Sequence, residues 1–254
     1  DRSPSRGLGD VYKRQNNNWY NRCSVMLDVL FPEKANKIDD KLYGSVSVVV
    51  LNYNNKKVIM HCIDTLLKFN SRYNYQIVVV DNMSTDGSYE IMQEKYGNNI
   101  TLVRNTKNGC SSGRNLGVEN STGKYILFLD SDEWILNKYW LDSYLNTISN
   151  NESVGAIGWG AGWFNSKGFA YKVVDAYEHC YMPPNSIARK DIGYLATCGF
   201  IIEKDLFNKI GKFDLNYDPT CYEDTDLSLK VRNEGKEIYL SLIHISEPTR
   251  RTPI

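Results

Sequence analysis

The sequence predicts an α/β protein built on a doubly wound, mostly parallel sheet, and three observations carry that prediction. Four short apolar runs, Val46–Leu51, Tyr75–Val80, Ile100–Val103 and Tyr125–Leu129, are β-branched and nearly continuous, as strands buried on both faces are. Helix-like stretches at about 56–69, 86–96 and 111–120 separate them, and this βαβαβαβ order winds a sheet through right-handed crossovers. Polar clusters close three of the runs: Asn52-Tyr53-Asn54, Asp81-Asn82 and Asp130-Ser131-Asp132. Ligands of such sheets sit at the carboxyl ends of the strands, so three clusters there describe a site where each alone describes a loop.

Each element has its own signal. Ser84-Thr85-Asp86-Gly87 supplies a turn and an N-cap for the second helix. Gly109, Gly113 and Gly117 recur at i, i+4 and i+8, and the last two read as a smooth helix face that packs closely on the sheet. The fourth strand ends on Asp130 and Asp132, which share a face because alternate side chains of extended backbone point the same way. The second half is less regular, with an amphipathic helix from about 137 to 148, a strand at Val154–Trp159 and a polar surface excursion to about 191. A strand over Gly193–Ile202, a helix from Lys204 to Ile210 and a last helix opening near Thr220 and stopped by Gly235 complete the pattern.

The two ends stand apart from this pattern. Arg6 to Gln15 can be encoded by ten codons whose reverse complement reads Leu240 to Thr249, and the DNA string resembles a transposase-type sequencing adapter. Residues 1–15 and 240–254 are therefore expected to be adapter-derived, with 16–45 a lead-in of unassigned role and 46–239 the domain. Setting aside their six basic and three acidic residues leaves 24 Lys and Arg against 27 Asp and Glu. That balance excludes a nucleic-acid footprint and argues against a polybasic membrane patch. The longest apolar runs are too short to span a bilayer. Six cysteines with no CxxC pair fit scattered reduced thiols in a cytosolic protein.

Two carboxylates at the end of a buried strand suit a hard divalent cation and a diphosphate, while a solvated turn with Ser131 or Asp132 as a helix cap is the plainer reading. The ordered motifs decide between them by resemblance. Val48-Val-Val-Leu-Asn-Tyr-Asn54, Val80-Asp-Asn-Met-Ser-Thr-Asp-Gly-Ser88, Asn105 to Gly117, Phe128-Leu-Asp-Ser-Asp132 and Tyr222-Glu-Asp-Thr-Asp-Leu227 follow one another along the chain. Together they resemble family 2 glycosyltransferases, inverting enzymes of the GT-A fold, over about residues 46–239. The fold so implied is Rossmann-like, with a mostly parallel sheet and a less regular acceptor-side second half. Two departures are that Leu51-Asn52 replaces the commoner Pro-Thr, and that Asn82 follows Asp81 where many members have a second Asp.

The resemblance implies the residue roles. Tyr53 would stack on a nucleotide base, Asp81 would accept a hydrogen bond from it, and Arg114 would reach the base or a phosphate. Asp130 would touch the ribose or share a metal, and Asp132 would ligate Mn²⁺ or Mg²⁺ across the diphosphate. Asp224 would be the base that takes the acceptor's proton, with Glu223 as the reserve. Thr220-x-x-Glu223 also reads as a capping box, and Asp226 suits a helix N-terminus.

The activity so implied is transfer of a sugar from a nucleotide-diphosphate sugar to a glycan or lipid-linked acceptor in bacterial cell-surface polysaccharide synthesis. It is expected in the cytoplasm, at the inner face of the plasma membrane, with peripheral membrane association through regions beyond this chain. Trp159, Trp163, Tyr171 and Tyr181 offer platforms for an acceptor sugar or pack the core, and His61 and His179 read as structural or exposed. His244 lies in the adapter-like end and is assigned nothing. A sugar-phosphate nucleotidyltransferase would want a Gly-rich basic loop after the first strand, and a haloacid-dehalogenase phosphatase would place Asp-x-Asp near that strand. The remaining rival is a truncated or degenerate module that binds nucleotide-sugar without transfer.

Overall fold

The computed structural model describes residues 40–133, 135, 140–159, 187–189 and 193–241. All belong to one of the chain's two compact units, the one comprising residues 38–165 and 182–254. The adapter-like residues 1–15, most of the expected excursion to about 191, and Trp163, Tyr171, Tyr181, His179 and His244 lie outside the described residues.

The four apolar runs form β1 (Val46–Asn52), β2 (Gln76–Asp81), β3 (Thr101–Arg104) and β4 (Tyr125–Asp130). Between them run α1 (Lys56–Phe69), α2 (Ser88–Tyr96) and α3 (Cys110–Glu119). The second half adds α4 (Asp142–Asn150), β5 (Val154–Trp159), β6 (Ile187–Arg189), β7 (Phe200–Glu203), α5 (Lys204–Lys209), α6 (Glu223–Asn233) and β8 (Glu237–Ser241). These strands make one sheet in the order β3-β2-β1-β4-β7-β5-β8-β6.

The first four strands pair in parallel, as expected. The second half is mixed: β7 runs antiparallel to both β4 and β5, β8 is parallel to β5, and β6 is antiparallel to β8. The expected strand over Gly193–Ile202 contracts to β7 because the Leu195 amide donates to Ser228 Oγ at 3.0 Å and not to a strand, and Gly199 takes a left-handed φ of 65°. The helix expected from about 137 begins at Asp142, where Arg72 and Tyr73 bond its carboxylate at 2.6–3.1 Å. Strand β8 closes on Leu240 and Ser241, paired with Gly158 and Trp159, so the first two adapter-like residues extend the sheet edge-on beside β5.

Alternating residues of the continuous apolar strands feed two cores, one on each face. Val48, Val50, Ile77, Val79, Leu127 and Leu129 meet α1, α2 and α4, while Val49, Leu51, Val78, Val80, Ile126 and Phe128 meet α3, α5 and α6. Burial on both sides explains why these strands read as unbroken hydrophobic runs. The glycine face of α3 is confirmed: a Cβ on Gly117 would stand 2.3 Å from Val49 Cγ1, and one on Gly113 would stand 2.5 Å from Leu51 Cδ1. That close approach brings the next residue of α3, Arg114, to the carboxyl ends of the strands.

Candidate functional site

At the ends of β1 and β2 the chain builds a polar floor. Asn52 is fully buried, and its Nδ2 lies 3.0–3.3 Å from Asp81 Oδ1, Ser84 Oγ and Ser88 Oγ. Asp81 is also fully enclosed, accepting from the Ser84 amide at 3.2 Å and facing Arg104 Nε at 3.6 Å. The carboxylate that the resemblance assigns to a base is thus an internal anchor of the 81–84 turn, because three protein donors surround it. Tyr53 differs: it is 51% exposed, on a loop joined to the next one by Asn54 N to Ser84 Oγ (2.9 Å) and Thr85 N to Asn54 Oδ1 (2.8 Å). Half of this residue is therefore open to solvent at the carboxyl edge of the sheet.

Asn82 explains one departure from the family pattern. Its Oδ1 accepts from Asn105 Nδ2 at 2.9 Å and from the Gly109 amide at 3.2 Å, while its Nδ2 donates to Asn108 Oδ1 at 2.8 Å. A carboxylate in its place would lose the donor. Asp218 is a residue that the motifs missed. It is 3% exposed at its side chain, and its Oδ1 accepts from the Ser111 and Ser112 amides, capping the first turn of α3 from a loop far along the chain. A Cβ on Gly109 would lie 2.3 Å from that carboxylate, so this position requires glycine. Only the Asp-Pro dipeptide at 218–219 marks this loop in the sequence.

The end of β4 gathers acidic groups. Glu133 is 4% exposed and turns back so that its Oε2 accepts from the Asp130 amide at 2.9 Å, and Asn55 Nδ2 donates to Ser131 Oγ at 2.9 Å. Burial first, then Glu133, Asp132 and Asp130, push the Cys62 thiol well up. Cys198 is raised in the same way by burial, Glu133 and Asp130. Acidic side chains of residues 130–133 thus lie near both thiols. Among the described residues no group of three or more His, Cys, Asp and Glu side chains can hold a metal alone. Strand β4 stops at Asp130, and Ser131 and Asp132 lie in the turn that follows, so the extended backbone that would put Asp130 and Asp132 on one face does not reach Asp132. Carboxylate oxygens such as theirs are the ligand type that Mg²⁺ or Mn²⁺ takes.

Arg114 sits beside this cluster and is 5% exposed at its side chain. Its Nη2 donates to Asp130 Oδ1 at 3.0 Å and its Nη1 to Glu223 Oε1 at 2.9 Å. Burial opposes the charge, but Asp130, with Cys110 and Glu223 adding to it, outweighs burial and raises the arginine pKa. The guanidinium that the resemblance assigns to a base or phosphate is thus bonded to two carboxylates. Glu223 Oε2 also accepts from the Cys221 amide, so both oxygens of Glu223 are engaged. No capping box forms through Thr220: α6 starts after Tyr222, whose φ is 68°, and it is Glu223 that reaches back. Asp224 is partly exposed, and its Oδ1 accepts from the amide of the next residue, Thr225, at 2.7 Å. Tyr222, 71% exposed, stands beside this turn.

Strand ends, α3 and the first turn of α6 therefore meet at the carboxyl edge of the sheet. Asp130, Arg114, Glu223 and Asp224 are joined by bonds and chain adjacency; Tyr53 follows the end of β1, the strand beside β4, and Asp81 ends β2, one strand further on. The model of the family described as Glycosyl transferase family 2 matches residues 47–211. The chain belongs to glycosyltransferase family 2. Glycosyltransferase GlyA of Streptococcus pneumoniae is 32% identical over 224 residues, covering 80% of this chain and 30% of that protein. Poly(ribitol-phosphate) beta-N-acetylglucosaminyltransferase TarS of Staphylococcus aureus is 34% identical over 112 residues, 42% of this chain and 19% of that one. TarS solved with UDP-GlcNAc superposes with a TM-score of 0.56 at 22% identity, over 80% of this chain and 57% of that chain. Mannosyltransferase PcManGT from Pyrobaculum calidifontis, solved with GDP-Man and Mn2+, gives 0.61 at 18% identity over 96% and 68% of the two chains. These neighbours share the GT-A fold. The chain spans less than a third of the length of the curated relatives GlyA and TarS.

Proposed function

We propose that this chain is the donor-binding and base-bearing part of a metal-dependent, inverting glycosyltransferase. Its substrates would be a nucleotide-diphosphate sugar and a glycan or lipid-linked acceptor of a bacterial cell-surface polysaccharide. The observation that carries the proposal is that one buried arginine joins the Asp-x-Asp strand end to the carboxylate preceding Asp224. The names of GlyA and TarS, and the GDP-Man and Mn2+ held by PcManGT, support the same reading.

In this reading Tyr53 stacks on the base, and Asp81 shapes the turn beneath it. Asp132 and Asp130 would hold Mn²⁺ or Mg²⁺, which supplies Lewis-acid stabilisation to the departing nucleoside diphosphate. Asp224 accepts the proton of the acceptor hydroxyl as that oxygen bonds to the anomeric carbon. The bond to the diphosphate oxygen breaks on the opposite face, which inverts the centre. Glu223 is unsuited to be the base because Arg114 and the Cys221 amide occupy its oxygens. The proposed setting is the cytoplasm at the inner face of the plasma membrane, with membrane contact made by parts of a longer protein.

Calorimetric titration of UDP, GDP and dTDP, with Mn²⁺ and with EDTA, tests the donor site. We expect metal-dependent binding of one nucleotide and its loss in Asp132→Ala. No binding of any of them would remove the donor reading. The coverage of the relatives favours one second reading, a module that binds nucleotide-sugar without transfer. Formation of glycosylated product separates the two, since binding alone makes none.

A further inference from the structure

Arg114 does more in this fold than fill a donor site. It arises from α3 where Gly113 and Gly117 press the helix against β1, and its guanidinium lies 5.8 Å from the centre of the Phe213 ring. Phe213 is itself pinned to α3, since its amide and carbonyl bond the Asn115 side chain at 3.1 and 2.9 Å. An arginine so held has little freedom, and its planar fork fixes two acceptors relative to each other. Those acceptors come from different elements: Asp130, 44% exposed at its side chain, ends β4, while Glu223, 8% exposed, begins α6. Glu223 in turn holds the Cys221 amide, in a turn where Cys221 and Tyr222 both take positive φ (102° and 68°). Two consecutive non-glycine residues in that region are strained, and such a turn persists only where neighbouring bonds hold it. Arg114 Nε has no hydrogen-bond partner among the described residues, so the side chain's orientation is set by the two carboxylates.

We propose that Arg114 is a positioning residue that couples the donor side of the site to the base side, fixing the Asp130 carboxylate and the strained 221–224 turn through one guanidinium. The coupling rests on the glycosyltransferase reading for its purpose but not for its existence. A residue that only contacted the donor would alter nucleotide affinity and leave α6 alone. A residue that was merely structural would loosen the whole fold. A coupling residue moves both ends of its bridge and little else.

The test uses the full chain and three substitutions: Arg114→Lys, Glu223→Gln and Asp130→Asn. Amide hydrogen exchange is followed at Cys221 and Thr225, with the amides of α1 as a reference, and UDP, GDP and dTDP affinity is measured with Mn²⁺. A lysine ammonium keeps the charge but cannot fork to both carboxylates, so Arg114→Lys should speed exchange at Cys221 and Thr225 by about three- to tenfold and weaken nucleotide binding similarly. Glu223→Gln, on the base side, should weaken nucleotide binding, and Asp130→Asn, on the donor side, should speed exchange at Cys221 and Thr225. The α1 amides should not respond. The proposal is overturned if Asp130→Asn leaves the 221–225 amides unchanged, or if its effect persists in an Arg114→Lys background. If Arg114→Lys does not fold, the other two substitutions decide. The exchange arm needs no ligand: failure of every protein to bind nucleotide would remove the donor reading, while the exchange result would still judge the bridge.

Discussion

Asp224 and Glu223 are chain neighbours with opposite surroundings, and their proposed roles rest on that difference. Glu223 is 6% exposed with both oxygens engaged, whereas Asp224 is open on one side and bonds within its own turn. In the proposed mechanism Asp224→Asn keeps the shape and the Thr225 contact but removes the base. Transfer should fall by about 10²–10⁴-fold with nucleotide affinity unchanged, as initial rates and calorimetry on the same preparation would report. Full residual turnover would reject Asp224 as the base. The positions of Tyr53, Asp130 and Asp224 at element ends could be read from sequence because each belongs to a short motif there. Arg114 and Asp81 could not be read so fully, because their surroundings are assembled from afar: Glu223 lies 109 positions from Arg114, and Asn52 lies 29 from Asp81. A motif reports which residue is present, and the fold decides whether its polar atoms face a ligand or each other.

Helix starts show how local chemistry becomes architecture. Asp86 accepts from the Ser88 amide at the start of α2 with one oxygen and from the Lys56 amide at the start of α1 with the other, at 3.0 and 2.8 Å. Burial works against its charge, but the Ser88 side chain and the Lys56 and Ser88 amides outweigh burial and hold its pKa below the ordinary value. A carboxylate depressed in the folded state contributes stability that is fully present above its unfolded pKa, about 3.9, and is lost as pH falls through the lower folded value. Asp86→Ala should therefore cost about 1 kcal/mol in urea unfolding at neutral pH, and the gap to the parent should shrink once pH drops below that range. A gap that stays constant into acid would show that the carboxylate charge is not the stabilising agent. The α2 start was recognisable from Ser84-Thr85-Asp86-Gly87, but the second use of Asp86 at α1 was not, since it crosses between two loops. Helix α3 offers the opposite balance. Gly117→Ala gains about 1 kcal/mol of helix propensity, yet its Cβ would meet Val49 Cγ1 at 2.3 Å and Val80 Cγ2 at 3.2 Å in the middle of the sheet. Overpacking of this kind costs about 1–3 kcal/mol, so a net loss should appear as a lower urea midpoint.

Across the whole molecule, the parallel half of the sheet followed from apolar runs and spacing, while the mixed half depended on a strand direction that no run encodes. Strand β7 reverses after Gly199, and β5 and β8 join in parallel on its far side. Strand β8 matters beyond its length because its side chains serve both faces: Ile238 enters the core shared with α5 and α6, and Tyr239 enters the core shared with α1 and α4. Both are almost wholly buried, at 1% and 4% exposure. Removing residues 237–254 should thus expose one edge of β5 and forfeit about 2 kcal/mol for each of the two side chains, a large share of the stability of a typical domain. Removing only residues 242–254 leaves β8 whole, so the urea midpoint should not move if that stretch is adapter-derived as expected. The pair of deletions separates two origins for the C-terminal segment. A midpoint that falls with the shorter deletion as far as with the longer one would make residues 242–254 part of the fold and defeat their assignment to an adapter. A drop confined to the longer deletion would place the structural end of the domain at β8.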